Sequence, residues 1–174
     1  MRIPKNKARA FSTTILCLLA VGGAVSFAQR AATKTSGGRP EIKVSLSGSV
    51  ERANQSIPAA EAGQVNPGEV VTWAINSQNE GSAPAHHYQV VGQIPRGTIL
   101  LPDSTQAEAK AAVTYSIDGG KTFSSQPTIE QSQADGSIKR ISAPVSMYTQ
   151  IRYEWSDPLA AGGRLTASYQ VRVK

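Results

Sequence analysis

The sequence lacks the cysteines that a disulfide framework or a thiol-based site would need. Its one cysteine, Cys17, lies in an apolar segment near the N-terminus. Motifs of nucleophilic catalysis are also missing, because neither Gly-x-Ser-x-Gly nor Ser-x-x-Lys occurs. The twelve acidic residues are dispersed, and no motif among them marks a catalytic carboxylate pair. These absences predict a protein that is not an enzyme and carries no cofactor.

The net positive charge is small once the basic residues before the N-terminal apolar segment are set aside. The formal net charge is +6, from 18 basic and 12 acidic residues. Four of the basic residues precede the apolar segment, and most of the others are scattered singly along the chain. A protein that binds nucleic acid normally concentrates its cations in a patch or stripe. We therefore expect no nucleic-acid partner.

An export signal is predicted for residues 1–28. Basic residues open the chain, an apolar stretch follows from Ala10 to Ala28, and Ser26 and Ala28 are small residues of the kind that signal peptidases recognise. Cleavage near Ala28 would remove Cys17 and leave a periplasmic, secreted or cell-surface protein without a membrane span. The competing interpretation is an uncleaved membrane anchor, but the stretch is short for a span and contains several Ser, Thr and Gly residues.

Residues 29–40, QRAATKTSGGRP, are predicted to be a flexible leader. They are rich in Thr, Ser, Gly and basic residues and have no apolar period. Their positive charge is consistent with a tether to anionic lipid or wall polymer, although such a run more often only keeps a linker soluble.

Residues 41–174 predict an all-β domain. Short segments with an apolar period of two alternate with turn residues, which is typical of an antiparallel β-sandwich. We expect an immunoglobulin-like sandwich of about seven to nine strands. The segment 151–155 and the last strand, 165–173, predict a β-hairpin joined by DPLAAGG. One helical turn is expected within STQAEAKAAV, and KTFSSQ is expected to be a strand.

Much of residues 65–174 resembles the immunoglobulin-like conserved-repeat domain of bacterial surface proteins, a domain of unknown function numbered eleven. The resemblance depends on Pro67-Gly68, Trp73, Asn79-x-Gly81, Pro95-x-Gly97 and the closing LAAGGRLTASYQVRV. Where that family usually has an aspartate, three residues before the proline, this chain has Gly92. The resemblance implies a module of the cell surface or envelope and implies no catalytic residue.

One isolated motif, Ser116-x-Asp118-x-Gly120-x-Thr122-Phe123, also resembles the Asp box of bacterial sialidases and related propellers. Its physical content is a tight reversal, in which an aspartate caps a turn and glycines adopt positive φ. The chain has one copy and is too short for a propeller. We therefore predict that Asp118, Gly119 and Gly120 form a structural turn and that glycosidase activity is absent.

His86 and His87 are candidates for a copper or zinc site, because exported metal carriers often bind through histidine. On a strand, adjacent side chains point to opposite faces, so the pair could not chelate one ion from the same side. No metal site is therefore predicted. Trp73 and Trp155 are expected in the core, because each shares a strand face with apolar residues; exposed at the surface, they would instead suit carbohydrate binding.

The predicted function is that of a non-enzymatic structural or interaction module of the cell envelope or surface. Its partner is expected to be a protein or an envelope polymer, bound through edge strands, the leader, or loops such as NEGSAPAHH and ADGSIKR. A carbohydrate-binding or small-ligand module is the alternative, and a periplasmic metal carrier is a weaker one.

Overall fold

Ten β-strands make up most of residues 37–174, the part of the chain that the computed structural model describes. The predicted signal and most of the predicted leader lie outside these residues. The described part contains one short 3-10 turn, Val145–Met147, and no α-helix. The strands are β1 Ile42–Arg52, β2 Gln55–Pro58, β3 Val70–Asn79, β4 Gln89–Gln93, β5 Thr98–Ala107, β6 Ala111–Ser116, β7 Thr128–Ser132, β8 Ile138–Ser142, β9 Gln150–Trp155 and β10 Arg164–Val173.

The strands form two main sheets and one separate hairpin, and every pairing is antiparallel. The larger sheet has the order β2-β1-β3-β10-β5, the smaller has β4-β9-β6, and β7 pairs only with β8. Alternate residues of the two main sheets form a common buried core, in which Tyr153, Tyr169, Val50 and Val171 are almost fully inaccessible. The predicted all-β antiparallel sandwich is confirmed, with ten strands where seven to nine were expected.

Polar groups on three core rings, those of Tyr153, Tyr169 and Trp155, reach backbone acceptors across the sandwich. The Tyr153 hydroxyl on β9 donates to the Ser168 carbonyl on β10 at 2.7 Å. The Tyr169 hydroxyl on β10 donates to the Gln93 carbonyl on β4 at 2.6 Å. The Trp155 indole donates to the Glu108 carbonyl at 2.8 Å. Because of these bonds, the three large amphipathic rings are buried without leaving their own polar atoms unsatisfied.

The predicted hairpin of the last two strands is wrong, because β9 and β10 belong to different sheets. Residues 156–163 carry the chain from one sheet to the other, and Leu159 is buried on the way. Its backbone exchanges two hydrogen bonds with Ala85, each 2.9 Å long. The alternation of apolar and polar residues shows that each strand has one side in the core. Two strands in opposite sheets show the same alternation as two strands that pair in one sheet, so the pattern does not identify the partner.

Two local predictions are also wrong. The segment expected to hold a helical turn instead contains the end of β5 and the start of β6. The β5–β10 register shifts between Ser168 and Gln170, and there the Ser104 hydroxyl accepts from the Gln170 N–H at 2.9 Å. KTFSSQ forms no strand and contributes a single bridge, between Ser124 and Tyr115.

The chain path differs from that of an immunoglobulin constant domain in the position of the last strand. In such a domain the last strand lies in the three-stranded sheet. Here β10 lies between β3 and β5 in the larger sheet. This position gives β10 partners on both sides and places its apolar row in the middle of the core.

Candidate functional site: an open sheet edge

The Asp118 turn follows β6 and is held together by its own side chains. The Asp118 carboxylate accepts from the Thr122 hydroxyl at 2.6 Å, from the Ser116 hydroxyl at 2.7 Å, and from the Lys121 and Thr122 N–H groups at 3.0 Å. Gly119 and Gly120 have φ of 75° and 91°, values that favour glycine.

Hydrogen bonds dominate the electrostatics of this carboxylate. The bond from the Thr122 hydroxyl, with further bonds from the Thr122 N–H and Ser116, holds the pKa of Asp118 well below its usual range. An acid in this state is ionised at neutral pH and cannot serve as a proton donor. The geometry therefore suits a structural cap.

His86 and His87 lie in a turn before β4, where the sequence argument had assumed a strand. Both side chains are exposed, and His87 has φ of 52°. Within residues 37–174, the structure brings together no group of three or more His, Cys, Asp or Glu side chains that could hold a metal ion. No described side chain therefore completes a metal site around either imidazole.

Both tryptophans contribute to the core. Trp155 is buried, and Trp73 is half-buried against the core cluster. None of the aromatic side chains in the described part of the chain is fully exposed. Stacking on a sugar ring needs an accessible aromatic face, and each of these described side chains is at least partly buried.

A different feature, the first half of β1, is a strand edge that lacks a partner among the described strands. β2 pairs only with residues 49–52 of β1, and β3 pairs with the opposite side of the strand. No described strand pairs with residues 42–47 on the side away from β3. This open edge, residues 42–47, presents a row of peptide groups to solvent.

The direction of those peptide groups follows from one hydrogen bond. The Ala59 N–H donates to the Gly48 carbonyl at 2.7 Å, so the peptide groups of Gly48 face away from β3. Peptide groups of alternate residues in a strand point to the same side. Those of Ile42, Val44 and Leu46 therefore point outward at the open edge.

Two apolar side chains at this edge, Val44 and Leu46, are exposed although they lie on the core-facing side of β1. Val44 and Leu46 share the core-facing side of β1 with Val50, which is fully buried. Their cross-strand neighbours on β3, Ser77 and Ile75, are buried as well. Val44 and Leu46 are nevertheless 53% and 56% exposed, because the smaller sheet has three strands against five and leaves the edge of the larger sheet uncovered.

The opposite, outer face of the same sheet is polar. Lys43, Gln78 and Arg164 form one cross-strand row, and Ser45, Asn76 and Thr166 form the next. These residues line a groove of about 680 Å³, with Glu108 at its side. Lys43 forms an ion pair with Glu80 at the rim, and that carboxylate raises the Lys43 pKa through a hydrogen bond.

Sequence reasoning missed the open edge. The apolar alternation of Ile42, Val44 and Leu46 is typical of a strand, but alternation alone could not show that the side chains of Val44 and Leu46 remain exposed. The available signal was Pro58, which ends the four-residue strand β2, so that its pairing with β1 stops at Ser49.

No protein-family model, curated protein or solved structure matches this chain. Among residues 37–174, the structure contains no helix with the length and hydrophobicity needed to cross a membrane.

Proposed function

We propose that this protein is an exported, non-enzymatic structural or interaction module of the cell envelope or surface, and that it binds its partner through the open edge of β1. The observation that carries the proposal is the exposure of Val44 and Leu46 beside unpaired peptide groups. Strand edges of this kind are templates for pairing with another chain.

Two features of the sequence support this proposal. Residues 1–28 have the organisation of an export signal. Much of residues 65–174 resembles the conserved-repeat domain of bacterial surface proteins, for which no catalytic residue is implied. The proposed partner is a protein or another envelope polymer that meets the module outside the cytoplasm.

A photo-crosslinking amino acid at Val44 tests this function, with Val91, an exposed valine on the edge strand of the smaller sheet, as the matched control position. We expect crosslinking in the native envelope from position 44 and not from position 91. The product is identified by mass spectrometry, and its binding is repeated with purified components. Leu46→Lys should abolish it. Equal labelling from both positions, or none, would contradict the proposal.

Carbohydrate binding is a second candidate, favoured by the polar groove on the outer face. Its amides and hydroxyls, from Asn76, Gln78 and Thr166, are groups that commonly bind sugar hydroxyls, and Arg164 could bind a carboxylate or phosphate. Calorimetry with envelope polysaccharides, comparing wild type with Arg164→Ala, tests this candidate. Heat that the substitution abolishes would support it, whereas the absence of heat would remove it.

A further inference from the structure

We infer that the partner at the open edge is a second copy of this chain, related by a two-fold axis near Ser45. The inference rests on the proposed function, since it names the partner of the same edge. It begins with backbone chemistry. Ile42, Val44 and Leu46 offer alternating donors and acceptors toward solvent, and an extended polypeptide is the ligand that satisfies such a row.

The edge segment is complementary to itself. From Ile42 to Gly48, every second residue faces the core side, and the pattern has the same spacing when read in reverse. An antiparallel two-fold pairing centred on Ser45 places Val44 opposite Leu46 of the second copy. Both Val44–Leu46 pairs then exchange backbone hydrogen bonds and cover each other's exposed side chains. The pairing uses the unpaired segment and stops where β2 begins.

Charges at the edge favour this pairing. Lysine on an edge strand normally discourages strand addition, but Lys43 is neutralised by its ion pair with Glu80. In the two-fold arrangement Lys43 lies opposite Ser47 of the second copy, so no like charges oppose each other. Between Ile42 and Gly48 there is no proline, and the β1–β3 register is continuous. A proline and a β-bulge, two devices that commonly protect edge strands, are therefore both missing from this segment.

Sedimentation velocity over a concentration series measures the assembly directly. We expect a concentration-dependent dimer that Leu46→Lys converts to a monomer, because a charge would enter the apolar contact. Val91→Lys is the matched control, since Val91 is an exposed valine on the edge strand of the other sheet. It should leave the dimer intact. Thermal unfolding of each variant checks that the fold is retained.

The register gives a second, independent readout. Ser45→Cys in a Cys17→Ser background should form an intermolecular disulfide on mild oxidation, because axis residues directly face each other in a non-hydrogen-bonded pair about 4.5 Å apart. Ser47→Cys should crosslink much less.

The outcomes separate this inference from the proposed function. A chain that remains monomeric at every concentration, while position 44 still crosslinks to a different protein, overturns the dimer and leaves the function standing. A monomer without any crosslink at position 44 overturns both. If Val91→Lys disrupts the dimer and Leu46→Lys does not, the contact lies at the β4 edge of the smaller sheet, and the inference is overturned.

Discussion

Gly92 in β4 lies directly against the ring of Tyr169 in β10, and the two residues share one space between the sheets. A Cβ built on Gly92 would lie 2.5 Å from Cε1 of Tyr169. The missing side chain lets the ring pass close to the β4 backbone and lets its hydroxyl reach the Gln93 carbonyl at 2.6 Å. Gly92 is therefore required by packing.

Gly92→Ala should destabilise the protein by about 1–3 kcal/mol, the usual cost of overpacking a well-packed core. The added methyl group cannot fit unless the Tyr169 ring or the β4 backbone moves. Urea unfolding followed by tryptophan fluorescence measures the change. Gly37→Ala is the control, because a Cβ at that position meets no atom within 4 Å. An unchanged midpoint for Gly92→Ala would contradict the packing argument.

Tyr169 should make the fold sensitive to alkali. Burial raises the pKa of Tyr169 to about 12, and burial also raises the pKa of Tyr153. Because the folded-state pKa lies above that of an unfolded tyrosine, about 10, this stabilisation is complete below about pH 10 and is lost as the pH rises through about 12. Ultraviolet titration of tyrosinate, together with unfolding at several alkaline pH values, tests this expectation.

Tyr169→Phe should cost about 1 kcal/mol at neutral pH, because it removes one hydrogen bond to the Gln93 carbonyl. The variant should also lose less stability than wild type at high pH, since one buried phenol no longer ionises. An alkaline profile parallel to that of wild type would show that Tyr169 does not control it.

Asn79 should contribute more to stability than any surface asparagine. Its side chain is fully buried; its Oδ1 accepts from the Glu41 and Gly81 N–H groups, both at 3.1 Å. Its Nδ2 donates to the Ala83 and Leu159 carbonyls at 2.8 and 3.1 Å. The side chain thus joins the start of β1, the loop after β3 and the crossover into β10.

Asn79→Ala should destabilise the protein by about 2–3 kcal/mol, because several of these polar groups lose their partners inside the protein. Asn76→Ala, on the exposed face of the same strand, should change stability by less than about 0.5 kcal/mol. Chemical unfolding of both variants provides the comparison. Equal effects would refute a special role for Asn79.

Asp118→Asn should lower the melting temperature at neutral pH, because the substitution replaces one acceptor oxygen with a donor. Hydrogen bonds depress the folded-state pKa of Asp118 below its ordinary value of 3.8. The stabilisation is therefore present above about pH 4 and is lost as the pH falls toward the folded-state pKa. Melting curves of wild type and Asp118→Asn should converge below about pH 4. A difference in melting temperature that stays constant down to pH 2 would show that the ionised Asp118 carboxylate is not the source of the stabilisation.

Particular residues show how far sequence reasoning extends. The period of two on Ile151, Tyr153 and Trp155 placed these side chains in the core, where they are buried. The Asn79-x-Gly81 pattern is typical of an asparagine that bonds the backbone two residues on, and the Gly81 N–H donates that bond to Asn79 Oδ1. The partners of strands were harder to predict, as the supposed β9–β10 hairpin shows, because alternation identifies a buried face and not the neighbouring strand.

The amino-acid sequence by itself determined the all-β class, the buried rows of the sandwich and the turn at Asp118, because these depend on local alternation and on side-chain capping over a few residues. Only the tertiary structure decided that β10 lies between β3 and β5, and that Val44 and Leu46 remain uncovered. The strand order depends on which distant segments pair, and the exposure of Val44 and Leu46 depends on how far the smaller sheet extends over the larger one. Both are set by contacts between residues distant in the chain, which local alternation does not record.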